Sequence, residues 1–384
     1  MSACKVCMVG KSPSDPRIFH KESRTLLRAG YEVVMIAAHE RDEVIGGIKV
    51  CSVPVPRNRV ERLFFTPWRL FLRAIREKAT IYQIAQIELI PQALLLRLLG
   101  KKIIYDVLED TPNQIPYKKW VPHFCRRMLG WLVEKIEHFG ARRFSAVVAA
   151  GVEIGERLGA LNKHTVVVQN FPLLEEFPNP AVLEARRSGC KTVVSLGGIG
   201  PERAGQQIVK AMSLLPEGLG ARLVLAGSVQ SKTLLDELTR TAGWKHVEFR
   251  GTISRQEVYA LMIDAAAALI LYSPEPNHFD IRSTRLYESL GAALPVITSD
   301  FPKWRKLVEG NGFGLTVDPL DPQAIAEAIE YLLTHPAEAA EMGQRGREAV
   351  LEKYNWAREE PKLLQVYAEL MEAKRSESLP GRTT

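Results

Sequence analysis

The sequence predicts an α/β protein built from two doubly wound, parallel-sheet domains, and three observations carry that expectation. Short apolar runs alternate with amphipathic stretches through both halves of the chain. Runs that are apolar throughout, joined by crossover helices, mark a parallel sheet covered on both faces. The pattern breaks once, around Asn170-Phe171-Pro172-Leu173 with Pro178 and Pro180 after it, and then restarts. A length of 384 residues also exceeds what one core usually organises.

Taken in order, the first half predicts strands over 5–10, 32–38, 48–55, 81–86, 102–107, 146–150 and 165–169. Helical periodicity falls between most of them, at 22–28, 88–99 and 124–139. The second half predicts strands over 192–196, 222–226, 247–250, 268–272, 295–298 and 314–317, with helices around 234–238, 257–262 and 286–290. Helices over 321–333, 337–353 and 356–373 complete the chain. The expected division is a first domain at 1–170, a second at 171–355, a terminal helix at 356–375 and a disordered tail at 376–384. Parallel sheets bind ligands beyond the carboxyl ends of their strands, so a site is expected where two such sheets face a cleft.

Composition narrows the class. Hydrophobic residues at 46% and charged residues at 25% are those of a soluble globular protein. No apolar run reaches the ~20 residues that span a bilayer, and the start shows no signal-peptide pattern. Five scattered cysteines suit a reducing compartment better than a disulfide framework. Cys4 and Cys7 form a Cys-x-x-Cys without a second pair at zinc spacing, so core packing is the expected role. The expected location is the cytoplasm, with the inner face of the cell membrane as a candidate peripheral site. A net charge of +7 favours anionic partners. Arg57, Arg59, Arg62, Arg69, Arg73, Arg76 and Lys78 interleave with Leu63, Phe64, Phe65, Trp68, Leu70, Phe71 and Leu72. A second basic-aromatic stretch runs from Tyr117 to Lys135 and includes Trp120, Arg126, Arg127 and Trp131. Such stretches suit an anionic membrane surface, or else an ordinary helix on the sheet with a basic outer face. No nucleic-acid recognition module is visible, and none is expected as a partner.

The most chemical segment is Asp280-Ile281-Arg282-Ser283-Thr284-Arg285-Leu286-Tyr287-Glu288. It reads as a polar loop, a helix start capped by Ser283 or Thr284, and one helix face shared by Arg285 and Glu288. The axial rise between those two is roughly 4.5 Å, about the step from a nucleotide's diphosphate to its ribose. A helix N-terminus favours phosphate, arginine adds a permanent forked cation, and a carboxylate one turn later accepts ribose hydroxyls. The alternative is a solvated Arg–Glu pair. Upstream, strand 192–196 opens into Gly197-Gly198-Ile199-Gly200, after which Pro201-Glu202-Arg203 is expected to start a helix. The turn is neither Gly-x-Gly-x-x-Gly nor a P-loop, which excludes a dinucleotide dehydrogenase. No Asp-x-Asp occurs anywhere.

These segments resemble the retaining glycosyltransferases of family 4, which have the GT-B fold. The resemblance covers nearly the whole chain and rests on Asp280 to Glu288, on the Gly-Gly-Ile…Glu-Arg turn, on Leu225-Ala226-Gly227 and on Phe249-Arg250-Gly251-Thr252-Ile253. It extends to Asp300-Phe301-Pro302-Lys303-Trp304, and to an opening, Ser14-Asp15-Pro16-Arg17-Ile18-Phe19-His20-Lys21-Glu22, like that of enzymes building cell-surface glycans. It implies two Rossmann-like domains facing a cleft, with a terminal helix crossing back to the first. It also implies transfer of a hexose-type sugar from a nucleotide-diphosphate-sugar to a glycan or lipid-linked acceptor, with retention. Front-face attack would let the departing phosphate take the acceptor proton.

On that resemblance Arg203 and Arg285 stabilise the leaving diphosphate in place of a metal, so no cofactor and no metal are expected. Glu288 holds the ribose, Thr252 and Ile253 read the base through their backbone, and Gly198 and Gly227 leave room for the ligand. Ser283 and Thr284 belong to the same donor site. Asp280 stands where the family carries a glutamate toward the sugar hydroxyls, with Arg282 as a competing contact and His278 nearby. On the acceptor side stand Asp15, Arg17, Glu88 and Glu109, with Lys21 and Asp110 beside them. Asp15, Arg17 and Lys21 equally suit a capped helix with a solvated first turn. The chain departs from the pattern at Leu108, where similar enzymes often have histidine, and at Gln83, Ala85 and Gln86. Leucine can neither donate a hydrogen bond nor carry a proton. The second reading is therefore an impaired subunit that binds nucleotide sugar or partners an active transferase.

Overall fold

A computed structural model describes residues 4–117, 121–177, 189–275, 278–279 and 283–378. The chain divides into two compact units, one of Met1–Asn170 with Trp356–Thr384, the other of Phe171–Asn355.

Among the described residues, the first unit holds an eight-stranded sheet. Its strands are β1 (Lys5–Val9), β2 (Glu32–Ala38), β3 (Glu43–Ile45), β4 (Ile48–Val53), β5 (Ile81–Ile84), β6 (Lys102–Val107), β7 (Ala146–Ala149) and β8 (Thr165–Val167). The spatial order is β3-β4-β2-β1-β5-β6-β7-β8, parallel except at the β3–β4 edge pair. β1, β2, β5, β6 and β7 are apolar and buried along nearly their whole length, as a sheet covered on both faces requires. The terminal helix Trp356–Ser378 continues beyond the expected end at Ala373 and belongs to this unit. Trp356, Leu363 and Tyr367 are buried, and the Trp356 indole donates to Thr25 Oγ1 at 3.0 Å.

The second unit holds β9 (Thr192–Leu196), β10 (Arg222–Ala226), β11 (Val247–Gly251), β12 (Ala267–Ile270), β13 (Val296–Ser299) and β14 (Gly314–Val317). They form a parallel sheet in the order β11-β10-β9-β12-β13-β14. Alternate side chains feed two separate cores. Val193, Leu223, Leu225, Leu269 and Ile297 pack on one, and Val194, Leu196, Val224, Ala226, Ala268 and Ile270 on the other.

Three local expectations need correction. β3 went unseen because Glu43-Val44-Ile45 is a three-residue, largely solvated edge strand with no apolar run to read. Pro201–Arg203 is a 3₁₀ turn, and buried Ala204 sits in the left-handed region at φ 52° before a helix begins at Gly205. Proline at a first helical position misleads here, because the left-handed residue separates turn from helix. Ser283 does precede the helix Thr284–Gly291, but its side chain makes no cap hydrogen bond.

Candidate functional site

The carboxyl ends of β9, β10, β11 and β12 lie side by side, and the segments leaving them carry most of the expected donor-site residues. Gly197 follows β9, Gly227 follows β10, and Gly251, the last residue of β11, leads into Thr252-Ile253. Backbone hydrogen bonds join these turns, from Gly197 N to Ala226 O at 2.8 Å and from Gly227 N to Gly251 O at 2.7 Å. Gly227 has φ 150°, and a Cβ there would lie 1.6 Å from the Gly197 carbonyl oxygen. Close backbone packing is thus a sufficient reason for that glycine. Gly198 differs, since a Cβ there would meet nothing within 4 Å. Of the two glycines expected to make room for a ligand, Gly198 alone faces open space.

Arg203 is drawn over the ring of Tyr272, with its guanidinium carbon 4.7 Å from the centroid. Tyr272 stands two residues beyond the end of β12, and its backbone is pinned by Ser299, whose Oγ accepts from Tyr272 N at 2.7 Å and donates to Tyr272 O at 2.8 Å. The Tyr272 hydroxyl lies 3.4 Å from Ser283 Oγ, at the start of the helix that carries Arg285. His278 is buried against the same ring at 5.3 Å, with Nδ1 2.8 Å from Ser273 O. One aromatic platform therefore joins the glycine-turn arginine to the N-terminus of helix Thr284–Gly291. In the sequence Tyr272 reads only as a strand residue. An aromatic at the carboxyl end of a central parallel strand was the available signal.

Arg285 and Glu288 share a helix face as expected from their spacing. Arg285 Nη1 is 2.6 Å from Glu288 Oε2, and the Glu288 side chain is 1% exposed. A carboxylate so buried needs further partners, and it has two that the sequence reading missed. Arg255 Nη2 lies 3.4 Å and the Tyr259 hydroxyl 3.3 Å from Glu288 Oε1. Both sit on the helix Arg255–Ile263, which starts with a capping box between Ser254 and Glu257. Glu176 then grips Arg255 bidentately, at 2.6 Å to Nε and 2.7 Å to Nη2, and accepts the Tyr259 hydroxyl at 2.7 Å. Burial opposes the Arg255 charge, but Glu176 and Glu288 outweigh it and raise the pKa further. Burial, then the Glu288 charge, push the Tyr259 phenol well up, so it stays a hydrogen-bond donor.

Thr252 is exposed and Ile253 half-buried in the loop leading to that capping box. Thr284 is half-buried in the first turn beside Arg285. Asp280 and Arg282 lie outside the described residues. Among the described residues, no group of three or more His, Cys, Asp or Glu side chains could hold a metal ion.

In the first unit, Asp15, Glu88 and Glu109 follow the carboxyl ends of the adjacent strands β1, β5 and β6. Asp15 Oδ1 accepts from the backbone N–H groups of Arg17 and Ile18 at 3.0 and 2.8 Å, fixing the turn that enters the π-helical segment Ile18–Ser23. Glu88 is half-buried with Arg62 at 3.3 Å, and Glu109 is exposed. Leu108 is half-buried beside it. Arg17 does not meet solvent. It is 2% exposed, with contacts to Glu22 at 2.8 Å, Asp106 at 2.9 Å and Val168 O at 2.7 Å. Its expected acceptor role fails on that burial, because the guanidinium is committed to two carboxylates and a carbonyl. Lys21 is likewise buried, 2.7 Å from Asn170 Oδ1.

The chain is similar to known proteins in sequence and in fold. Residues 184–349 match the family described as glycosyl transferases group 1. The chain is 23% identical over 267 residues to a glycogen synthase of Mycobacterium tuberculosis, covering 66% of this chain and 62% of that one. It spans less than two thirds of the length of the curated relatives it matches. Among solved structures, sucrose-phosphate synthase from Thermosynechococcus elongatus superposes with a TM-score of 0.75 at 19% identity, over 96% of this chain and 100% of that one. The Anabaena protein HepE in complex with UDP-glucose gives 0.71 at 12% identity, over 95% and 99%. These likenesses define the class by fold, a GT-B protein of two doubly wound units. By sequence, the match to the glycosyl transferases group 1 model falls within the second unit.

Proposed function

We propose that this protein is a glycosyltransferase that moves a hexose-type sugar from a nucleotide-diphosphate-sugar to a glycan or lipid-linked acceptor, with retention of configuration and without a metal ion. One observation carries the reading. At the carboxyl end of the sheet in the family-matched unit, Arg203 stacks on Tyr272, Tyr272 touches Ser283, and two residues later Arg285 stands one turn before Glu288. Two fixed cations and a helix N-terminus suit a leaving diphosphate, whose developing charge must be stabilised. Open space at Gly198 allows the protein backbone to approach the ligand closely. Among the similar structures, HepE is in complex with UDP-glucose, which supports the donor class. Asp280 toward the sugar, Thr252 and Ile253 at the base, and Asp15, Glu88 and Glu109 toward the acceptor complete the proposal.

The place of action is the cytoplasmic side, with the first unit resting on the membrane through its basic-aromatic helices. Among the described residues no helix is long and apolar enough to cross a bilayer.

Thermal-shift screening against UDP-, GDP-, ADP- and dTDP-sugars tests the donor site, since a ligand stabilises the state it binds. At least one should raise the melting temperature, and Arg285→Ala should abolish that rise. The variant keeps its fold because Glu288 retains Arg255 and Tyr259. An undiminished rise in Arg285→Ala sinks the proposed site. Nucleotide binding without donor hydrolysis or transfer would favour the second reading, a binding subunit, to which Leu108 in place of histidine points.

A further inference from the structure

Three charges and a phenol are packed around the carboxylate of Glu288. Arg255 and Arg285 contribute two positive charges, Glu176 and Glu288 two negative, and Tyr259 a hydroxyl. The cluster is neutral, and Glu288 is its most buried member. Arg285 is the more solvent-accessible of its two arginine partners, at 29% against 25%, and its contact is within its own helix. Arg255 is anchored from outside, by the two-oxygen grip of Glu176 79 residues upstream. That segment is itself fixed, since Phe177 packs edge-on against Tyr259 at 5.7 Å and occupies the space a Cβ on Gly291 would need.

These facts bear on the donor site proposed above, and the step taken now rests on that reading. A diphosphate arriving at the helix N-terminus competes with Glu288 for Arg285. Were Arg285 the carboxylate's only cation, its departure would strand a buried charge, which is costly. We infer that Arg255 and Tyr259, clamped by Glu176, are positioning residues that hold the Glu288 carboxylate paired and oriented for the ribose hydroxyls while Arg285 turns to the diphosphate. Arg285 thus exchanges one anion for another, and Arg255 stays. The device makes the site selective for ribose over deoxyribose, because only a held carboxylate can register the loss of one hydroxyl.

The test is a ratio of affinities measured by calorimetry on the full-length protein. Matched pairs, UDP with 2′-deoxy-UDP and 3′-deoxy-UDP, and the same for GDP and ADP, avoid assuming the base. Wild type should prefer one ribonucleotide over its deoxy partner by about tenfold or more, the factor for losing a hydrogen bond to a charged group. In Arg255→Gln that ratio should fall to within about twofold, and Glu176→Gln should move it the same way by less. Arg255→Lys, which keeps the charge and loses the fork, should recover part of it. A merely structural role for Arg255 would weaken both members of a pair alike and leave the ratio unchanged, which overturns the inference. Glu176→Gln supplies the same readout if Arg255→Gln does not fold. Wild-type binding with no ribose preference also overturns the inference while leaving a nucleotide site standing. No nucleotide binding at all removes the site and the inference together.

Discussion

At the scale of single residues, the chain places its charges where burial decides their state. Arg17 faces two carboxylates, Glu22 and Asp106, inside the first unit, with Gln83 donating to Glu22 at 2.5 Å and Tyr367 donating to Gln83. One guanidinium cannot neutralise two buried anions. Burial, then repulsion from Asp106, therefore push the Glu22 carboxyl up to about 8, and burial raises Asp106 as well. In the unfolded chain the same carboxyl titrates near its ordinary value of 4.5. Between those values the folded state holds a proton the unfolded state has lost, so stability falls as pH rises through the window. Glu77 behaves oppositely. Burial opposes its charge, but hydrogen bonds from Lys49, Lys5 and Cys51 hold it at about 2, so its contribution is present above pH ~4.5 and is lost as pH falls toward 2. The windows do not overlap. Glu22→Gln should accordingly flatten the melting temperature between pH 5 and 8 and leave it at or above wild type at pH 8. A slope unchanged from wild type in calorimetric melts would show that another group holds the proton.

At the scale of elements, the glycine turn separates structural from functional need. Gly227→Ala puts a Cβ 1.6 Å from a backbone carbonyl at φ 150°, a region costing an L-residue about 1–3 kcal/mol before any clash. Gly198→Ala meets nothing. The first variant should lose several degrees of melting temperature or fail to fold, whereas the second should melt like wild type and bind nucleotide more weakly. Equal stability of the two would contradict the stitched turns. The same contrast explains what could be read beforehand. The parallel strands were legible because sheets buried on both faces are written as apolar runs, and Arg285 with Glu288 because three residues on a helix share a face. β3 was not, being short and solvated. Nor was Ala204, since the sequence gives no cue that an alanine rather than a glycine takes the left-handed φ there. Arg255 was hidden for a different reason. The local signal, Ser254 with Glu257, explains the start of its helix, but the partner that gives it meaning is Glu176, far upstream. Arg17 misled because a charged residue in a polar opening reads as exposed, and nothing nearby announces Asp106 on β6 as its partner.

At the scale of the whole molecule, a net charge of +7 is concentrated where large apolar side chains are also left in solvent. Helix Thr66–Arg76 turns Leu70 and Ala74 into the core, as a helix packed on a sheet should. Its outer side and the π-helical turn Glu61–Phe65 before it are not simply basic, because Phe64 is 66% exposed and Trp68 49%. Helix Arg126–Ala141 repeats the arrangement, with Trp131 at 57% and the preceding Phe124 at 89%. Both helices pack against Ile90–Leu98, so these side chains belong to neighbouring elements of one unit. Arg57, Arg59, Arg62, Arg127 and Lys135 are exposed among them. Aromatics rimmed by cations fit an interface of apolar tails beneath anionic headgroups, where each basic residue adds about 1 kcal/mol and each buried aromatic roughly 1.5–3 kcal/mol. Neither contribution alone holds a protein on a bilayer, but together they do. The protein should therefore sediment with vesicles rich in phosphatidylglycerol, release as salt rises, and ignore purely phosphatidylcholine vesicles. Trp68→Ser with Trp131→Ser should weaken that binding about tenfold or more while changing the melting temperature little, since about half of each residue is already in water. Binding to neither vesicle, with a dimer in sedimentation equilibrium that the double variant dissolves, would instead assign the face to a second copy of the chain.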